Sequence, residues 1–391
     1  MRRYYLSPMS NFPKLGILGG GQLGKMLCQA ASSWHLPVYV LDRDESFPAA
    51  PYATVFQRGD FRDYDDVMAF ARGLDVVTIE IEHIDTRALH ELEQAGVKVY
   101  PQPDKIDLIK DKGLQKQFYA DHGIATTDFR LFADKEEVIQ AVKEGDLHPP
   151  FVQKTRTGGY DGQGVSVIRY REEVPANLLE GPCLVETMAD IDKELAVIVA
   201  RSANGEVKVF NTVEMEFHPT ANLVEFLICP AALDGDTDGR ASKLAVEVVQ
   251  KMEIVGLLAV ELFLTKDGEL LVNEVAPRPH NSGHHTIEAC ATSQYEQHLR
   301  AILGLPLGDP RLLRPAALIN LLGAEGHTGP TRYQGWMDVL AIPEVYPHLY
   351  GKADTRPFRK MGHLTALGDT VAEARERAGR AKSLLQIVAA E

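Results

Sequence analysis

The chain has 391 residues, enough for two or three domains with full-sized cores. Its formal charge of -14 at neutral pH excludes a sequence-independent grip on nucleic acid or on an anionic membrane, although local basic pockets remain possible. Four scattered cysteines, Cys28, Cys183, Cys229 and Cys290, form no framework and no CxxC pair, and no apolar h-region or membrane-length apolar run follows the two early arginines, so a reduced cytoplasm is the expectation.

From Lys14 to about Pro101, strand and helix alternate: Leu15 to Leu18, a helix through Trp34, Val38 to Leu41, and later Val76 to Ile79. This alternation predicts a parallel sheet covered by helices. Gly19-Gly-Gly-Gln-Leu-Gly24 lies between a strand and a helix and satisfies G-x-G-x-x-G, with Asp42 at the end of the next strand where a dinucleotide-binding fold keeps its ribose acid. Its physical content is a tight turn, close backbone approach and a helix N-terminus able to hold an anion. Phosphate binding of some kind is favoured over helix packing alone, and nicotinamide binding stands below both. Glu80 and Glu82 share a strand face after Val76, and the two either border a ligand site or are solvated at a strand end, with a site role preferred for Glu82.

Pro101-Gln-Pro103 leads into a charged helical stretch around Lys110 to Asp121 and marks a boundary near residue 111. Beyond His148-Pro-Pro150, short apolar runs at Phe151 to Gln153, Val165 to Ile168 and Cys183 to Glu186 predict a small antiparallel sheet. Lys154-Thr-Arg-Thr-Gly-Gly-Tyr-Asp-Gly-Gln-Gly164 follows the first of these runs. Its glycines free the backbone amides to fold over phosphates, Lys154 adds charge, and the segment reads as a mobile lid. Strands near Leu195 to Ala200, Val207 to Val213 and Leu223 to Ile228 come next, then a helix over Ser242 to Met252, an α+β arrangement.

Asp267-Gly268 separates the apolar runs Leu258 to Leu264 and Leu270 to Val272, a hairpin signal. With these as the two loop residues, Lys266 pairs with Glu269 and Glu261 falls opposite Glu274, the β-carbons about 5 Å apart. Two carboxylates so placed persist when a proton or a cation lies between them, and hard oxygens suit Mg²⁺ carrying a nucleotide. A register slipped by one residue would instead send one glutamate to the other face, and spacing alone leaves both readings open. The next stretch, Ala276-Pro-Arg-Pro-His-Asn-Ser-Gly-His284, gathers a guanidinium, an amide and two imidazoles. A zinc cluster of His280, His284 and His285 is disfavoured, because Pro279 and Gly283 give loop geometry without preset ligand directions. A last segment from about Pro306 ends in a helix opened by Thr370-Val-Ala-Glu373, a capping box.

Taken in order, Lys154, the Thr157-Gly-Gly-Tyr-Asp-Gly-Gln-Gly164 lid, Glu261 facing Glu274, and Arg278 to His284 resemble the ATP-grasp superfamily, and within it the 5-(carboxyamino)imidazole ribonucleotide synthases. The likeness runs from Gly16 to about Thr365 and includes Arg359-Lys-Met-Gly-His363. It implies a multidomain α/β and α+β protein: a Rossmann-like domain over residues 1–111, an ATP-grasp domain over 112–305 with its lid at about 118–186, and a small C-terminal domain over 306–391.

The resemblance also implies ATP, bicarbonate and 5-aminoimidazole ribonucleotide as substrates, Mg²⁺ as the metal, and a homodimer. Lys112 and Lys154 would hold the nucleotide phosphates beneath Gly159, Tyr160, Asp161, Gly162, Gln163 and Gly164, with Lys112 standing where the family often has arginine. Glu186, Thr187, Met188, Ala189 and Glu194 would contact adenine and ribose; Glu261 and Glu274, helped by Asn273, would bind the metal. Arg278 and His280 would face bicarbonate and the carboxyphosphate made from it. Lys352 and Arg359 would anchor the ribonucleotide phosphate, and Gln22, Glu82, Tyr160 and Asp161 would border that substrate. Phe358 stands where the family commonly has glycine, and its bulk conflicts with a loop path made for glycine.

Three alternatives remain. A formate-using ribonucleotide transformylase of the same superfamily is disfavoured by the Arg278 to His284 stretch; an NAD-linked oxidoreductase leaves the second glycine loop and the glutamate pair unexplained; a sensor without turnover would not need Lys154, Glu261, Glu274 and Arg278 together.

Overall fold

The computed structural model describes residues 12–159, 164–174, 176–217 and 224–390, and every count of elements is made among these. Leu15–Leu18, buried throughout, is the central strand of a five-stranded parallel sheet, with Val38–Asp42 and Val55–Arg58 on one side and Val76–Ile79 and Lys98–Val99 on the other. A strand buried on both faces needs an unbroken apolar run, which is what the sequence supplies. Helices Gln22–Ser32, Tyr64–Phe70 and Thr86–Gln94 make the crossovers.

The charged stretch after Pro103 is two helices, not one. Pro103–Lys110 opens on proline, and Asp111 leaves helical geometry to cap Lys112–Asp121 by accepting from the Gly113 and Leu114 amides. The break lets Asp111 also take a bidentate pair from Arg156, at 2.9 and 2.6 Å. A small antiparallel sheet orders Phe129–Phe132, Cys183–Thr187, Phe151–Thr155 and Val165–Ile168.

A second, nine-stranded antiparallel sheet begins at Leu270–Ala276 and passes through Gly256–Thr265, Ile191–Arg201, Val213–Phe217, Val224–Cys229, Ala316–Leu322 and Lys360–Leu367 to Val345–Leu349, with Val207–Val209 on Ile191–Arg201. Three C-terminal strands therefore continue the sheet that carries the glutamate hairpin, while Asp354–Thr355, Gly329–Gln334 and Gln386–Ala389 form a small sheet of their own. The expected strand over Val207 to Val213 is two short ones. The helix expected from Ser242 begins at Gly235, because Asp234 caps it through the Thr237 amide and overrides the poor propensity of Gly235 and Gly239. At the C-terminal helix, Val371–Leu384, Thr370 accepts from the Glu373 amide, but Glu373 reaches Asp369 N–H, so the capping box closes one residue early.

The helix Gln294–Leu303 joins the two large sheets. Its Tyr295, Leu299 and Ile302 share a core with Leu15, Ile17 and Val40, each such side chain contributing about 1.5–3 kcal/mol by burial. His298 Nε2 lies 2.8 Å from Thr78 Oγ1 while its Nδ1 accepts from Leu257 N–H at 3.3 Å. No described helix is long and apolar enough to cross a membrane, and the four cysteines are free and buried.

Candidate active site

A cleft of about 1250 Å³ is lined by loops that follow strands of the parallel sheet, by the small antiparallel sheet, by the glutamate hairpin and by the C-terminal segment around Lys352 to Lys360. At its N-terminal edge the glycine turn is already engaged from within. Gly20 N–H donates to Asp42 at 2.7 Å, and Gly21 and Gly24 N–H donate to the two oxygens of Glu80, each at 2.6 Å. A Cβ at Gly21 would stand 2.5 Å from Glu80 Oε1, so glycine is needed there for the carboxylate's approach. The reading of these amides as a phosphate cradle is thereby corrected: the anion they hold is Glu80. Asp42, 2 % exposed, is likewise a latch on the turn and not a ribose acid, which removes both supports of the nicotinamide alternative. Gln22, past the turn, lines the cleft.

Cations gather on the opposite wall. Lys112 and Lys116 lie one turn apart on the same helix face, and Lys154 comes from the small sheet. Lys116 and Lys154 hold the two oxygens of Glu186, each at 2.6 Å, with Thr127 donating to the same carboxylate at 3.0 Å. Burial acts to raise Glu186, but Lys154 and Lys116 outweigh it and draw the group down to about 2. Burial likewise lowers Lys116 to about 8 against the pull of Glu186. Lys154 also donates to Asn273 at 2.9 Å, and Lys112 pairs with Glu274. Thr187, Met188 and Ala189 follow Glu186 into the cleft lining, together with Glu194, whose carboxyl burial raises to about 7.

Glu261 and Glu274 do face each other, by a route that differs from the expected one. The hairpin closes at Thr265 and Glu269, so its loop has three residues with Gly268 in the left-handed region at φ 87°, and Thr265 Oγ1 accepts the Glu269 amide at 2.9 Å. That register would set Glu261 against Asn273. A bulge at Asn273 inserts the missing residue and restores the glutamate pair. Asn273 and Glu274 both line the cleft as a result. Burial and then the neighbouring Glu274 and Glu194 carboxylates push Glu261 up; for Glu274, burial is outweighed by Lys112, which holds it down.

Arg278 Nε lies 2.9 Å from Glu82, so Glu82 orients the guanidinium, from the loop after Val76–Ile79 and not from a strand face as expected. His280 Nδ1 is 2.9 Å from Ser282 Oγ, and its Nε2 stands 3.5 Å from Glu261. At the far end of the cleft, Lys352 donates to the Lys360 carbonyl at 2.7 Å and Arg359 to the Asp354 carbonyl at 2.5 Å. Phe358 adopts φ 62°, the backbone that glycine favours, and turns its ring outward, 41 % exposed. The loop path made for glycine is kept with phenylalanine in it.

Every described member of the expected set lines this cleft except Gly164, which sits at the lid base with φ 77°. Tyr160, Asp161, Gly162 and Gln163 lie outside the described residues. Sequence reasoning missed Lys116, and it noted Arg156, Lys360 and Glu80 without the partners found here, Asp111 for Arg156, the Lys352 ammonium for the Lys360 carbonyl and the glycine turn for Glu80. The i, i+4 spacing from Lys112 was the available signal for Lys116.

Comparison with known proteins gives the same order of parts. Residues 12–110 match the ribonucleotide synthetase preATP-grasp domain, 117–295 the ATP-grasp domain, and 316–377 the phosphoribosylaminoimidazole carboxylase C-terminal domain. The chain is 40% identical over 355 residues to the N5-carboxyaminoimidazole ribonucleotide synthase of Bacillus subtilis, covering 90% of each. It is also 40% identical over 365 residues to the chloroplastic phosphoribosylaminoimidazole carboxylase of Vigna aconitifolia, covering 91% of this chain but spanning only 64% of that longer protein. The N5-carboxyaminoimidazole ribonucleotide synthetase structure from Thermotoga maritima superposes with a TM-score of 0.88 at 41% identity, over 97% of this chain and 100% of that one. A synthase structure from Aspergillus clavatus, in complex with ADP and 5-aminoimidazole ribonucleotide, gives 0.86 at 32% identity, over 95% and 98%.

Proposed function

The chain belongs to the N5-carboxyaminoimidazole ribonucleotide synthases, ATP-grasp ligases of purine biosynthesis, and from that premise we propose that it spends ATP to carboxylate the exocyclic amine of 5-aminoimidazole ribonucleotide with bicarbonate. ADP and phosphate leave. The observation that carries this reading is one cleft with a lysine cluster and facing carboxylates on one wall and a second cationic group, Lys352, Arg359 and Lys360, at its far end. A volume of about 1250 Å³ accommodates two nucleotides.

The residues fit a magnesium ion. Glu261 is a partly buried carboxylate raised by that burial and then by Glu274, and Lys112 is paired with Glu274. Bound there by Glu261 and Glu274, with Asn273 adjacent, Mg²⁺ would supply charge to the phosphoryl oxygens during transfer. Glu274 would then release Lys112 to a phosphate oxygen, where it works with Lys154. Thr187, Met188 and Ala189 face adenine, and Glu194 accepts from the ribose hydroxyls. Glu186 fixes Lys116 and Lys154 in place.

Bicarbonate is a poor electrophile, so the γ-phosphoryl is passed to its oxygen first, giving carboxyphosphate. Arg278, oriented by Glu82, offers two parallel donors to a planar bicarbonate. His280 stands beside Glu261 on the same side and is placed to hold or move a proton of the acceptor amine. Lys352 and Arg359 anchor the ribonucleotide phosphate, with Gln22 at its border. A reduced, cytoplasmic setting agrees with four free cysteines, and a homodimer is the assembly we infer from the family.

The decisive assay is ADP release from Mg·ATP in bicarbonate buffer with and without 5-aminoimidazole ribonucleotide. We expect strong stimulation by that nucleotide; an ATPase indifferent to it would remove the acceptor from the proposal.

A further inference from the structure

Gln294 is fully buried, belongs to the helix wedged between the two large sheets, and does not line the cleft. Its side chain nevertheless determines the shape of the loop that does. Oε1 accepts the His280 N–H at 2.9 Å, and Nε2 donates to the His280 carbonyl at 2.8 Å. A main-chain N–H only donates and a carbonyl only accepts, so this pair fixes which way round the amide sits. The second Nε2 hydrogen then meets His284 Nδ1 at 3.1 Å, where the Tyr295 hydroxyl also arrives at 2.8 Å. A ring nitrogen that receives two donors carries no proton, so His284 keeps its proton on Nε2.

The His284 ring lines the cleft and lies 4.6 Å from the ring of His363, on the C-terminal strands. Burial first, and then the charges of His280, His348, Lys360 and His285, keep His284 far below the usual imidazole range, which makes it a neutral donor. The packing leaves no slack. A Cβ at Gly283 would stand 2.4 Å from Gln294 Oε1, while Gln294 N–H donates to Thr286 Oγ1 at 2.8 Å and that hydroxyl donates to the Gly283 carbonyl at 2.5 Å.

We propose that Gln294 is a positioning residue of the reaction: through one amide it sets the main chain of His280 and fixes His284 as an Nε2–H donor aimed at an oxygen of the ribonucleotide. The inference rests on the ligase reading of the cleft, and its test has a part that does not depend on that reading. In the wild-type protein with ¹⁵N-labelled histidine, nitrogen–proton correlation spectra should show His284, assigned by its loss in His284→Gln, as the neutral Nε2–H tautomer from about pH 6 to about pH 8. An Nδ1–H tautomer or a protonated ring overturns the proposal whatever the enzyme's activity.

Gln294→Glu keeps the shape but cannot donate from Nε2, so the His284 proton should move to Nδ1. Its kcat/KM for the ribonucleotide should fall about 100-fold, the scale of a small misplacement, while the Kd for ADP is unchanged. Gln294→Leu should do the same if it folds, and adding it to His284→Ala should cost no more than about threefold beyond the worse single variant, since coupled residues do not add. Equal losses in ADP affinity, or fully additive losses, would leave Gln294 a packing residue and sink the idea. If wild-type protein shows no ribonucleotide-stimulated ADP release, the ligase reading fails, and the tautomer result alone decides on Gln294.

Discussion

The glycine turn at Gly19 to Gly24 and the hairpin that carries Glu261 and Glu274 both look like ligand sites in sequence, yet they meet their charges in opposite ways. In the turn, three backbone amides are taken by Asp42 and Glu80, so the donors that might have cradled a phosphate are used in holding the fold. In the hairpin, two carboxylates are set against each other in the cleft wall, where Lys112 pairs with Glu274 and His280 Nε2 stands 3.5 Å from Glu261. Of these two motifs, the turn's amides are held by carboxylates of the fold, whereas the hairpin's carboxylates are held by Lys112 and His280, side chains that a metal ion can replace. The hairpin's strain is chemical and stays available to an incoming cation.

The largest effect expected from this contrast is at Glu261. Glu261→Gln should lower kcat by roughly 10³-fold, as loss of a charge that stabilises the transition state does, with the Mg²⁺ concentration needed for half-maximal rate rising in parallel. The same change should raise Tm, because it removes one of two like charges that burial already disfavours. Steady-state rates across a magnesium series, with a thermal melt on the same samples, read both. A variant that loses stability along with rate would place Glu261 with Glu80, among groups that serve the fold.

Glu80 should show the reverse pattern. Both its oxygens accept backbone amides, so Glu80→Gln must present an NH₂ to one of them, and an opposed buried donor pair costs about 1–3 kcal/mol. A lower urea midpoint with an unchanged Kd for ADP is the expected result. Weaker ADP binding at equal stability would mean that the turn reaches the nucleotide after all.

How much of this was legible in the sequence depends on the range of the interaction. The parallel sheet, the small sheet and the glutamate pair are local patterns, and periodicity or hairpin counting reaches them. Even there, two departures cancelled: a three-residue loop in place of two shifted the register, and the bulge at Asn273 shifted it back. A bulge adds one residue without a composition signal, so counting cannot see it. Asp234 shows the converse, where one cap extended a helix across glycines that read as loop. The clasp of Gln294 on His280 was out of reach, since it depends on where the Gln294–Leu303 helix docks between two sheets. The engagement of Glu80 with Gly21, fifty-nine positions apart, was hidden for the same reason.

The smallest predicted effect concerns a third loop, one in which a glycine-like backbone survives without glycine. Phe358 holds φ 62° with its ring exposed, its amide donates to the Gly323 carbonyl at 2.9 Å, and its neighbour Arg359 lines the cleft. A left-handed conformation costs a side-chain-bearing residue roughly 1–2 kcal/mol relative to glycine. Glycine gives back about 0.4–1 kcal/mol of that through the freer unfolded chain. Phe358→Gly should therefore raise stability by about 1 kcal/mol or less, seen as a small upward shift of the urea midpoint, and leave the KM for the ribonucleotide within about twofold. If the KM rises well beyond that while stability increases, the ring is doing something for Arg359 that the backbone does not, and this loop joins the hairpin as a place where the fold accepts strain for the sake of the ligand.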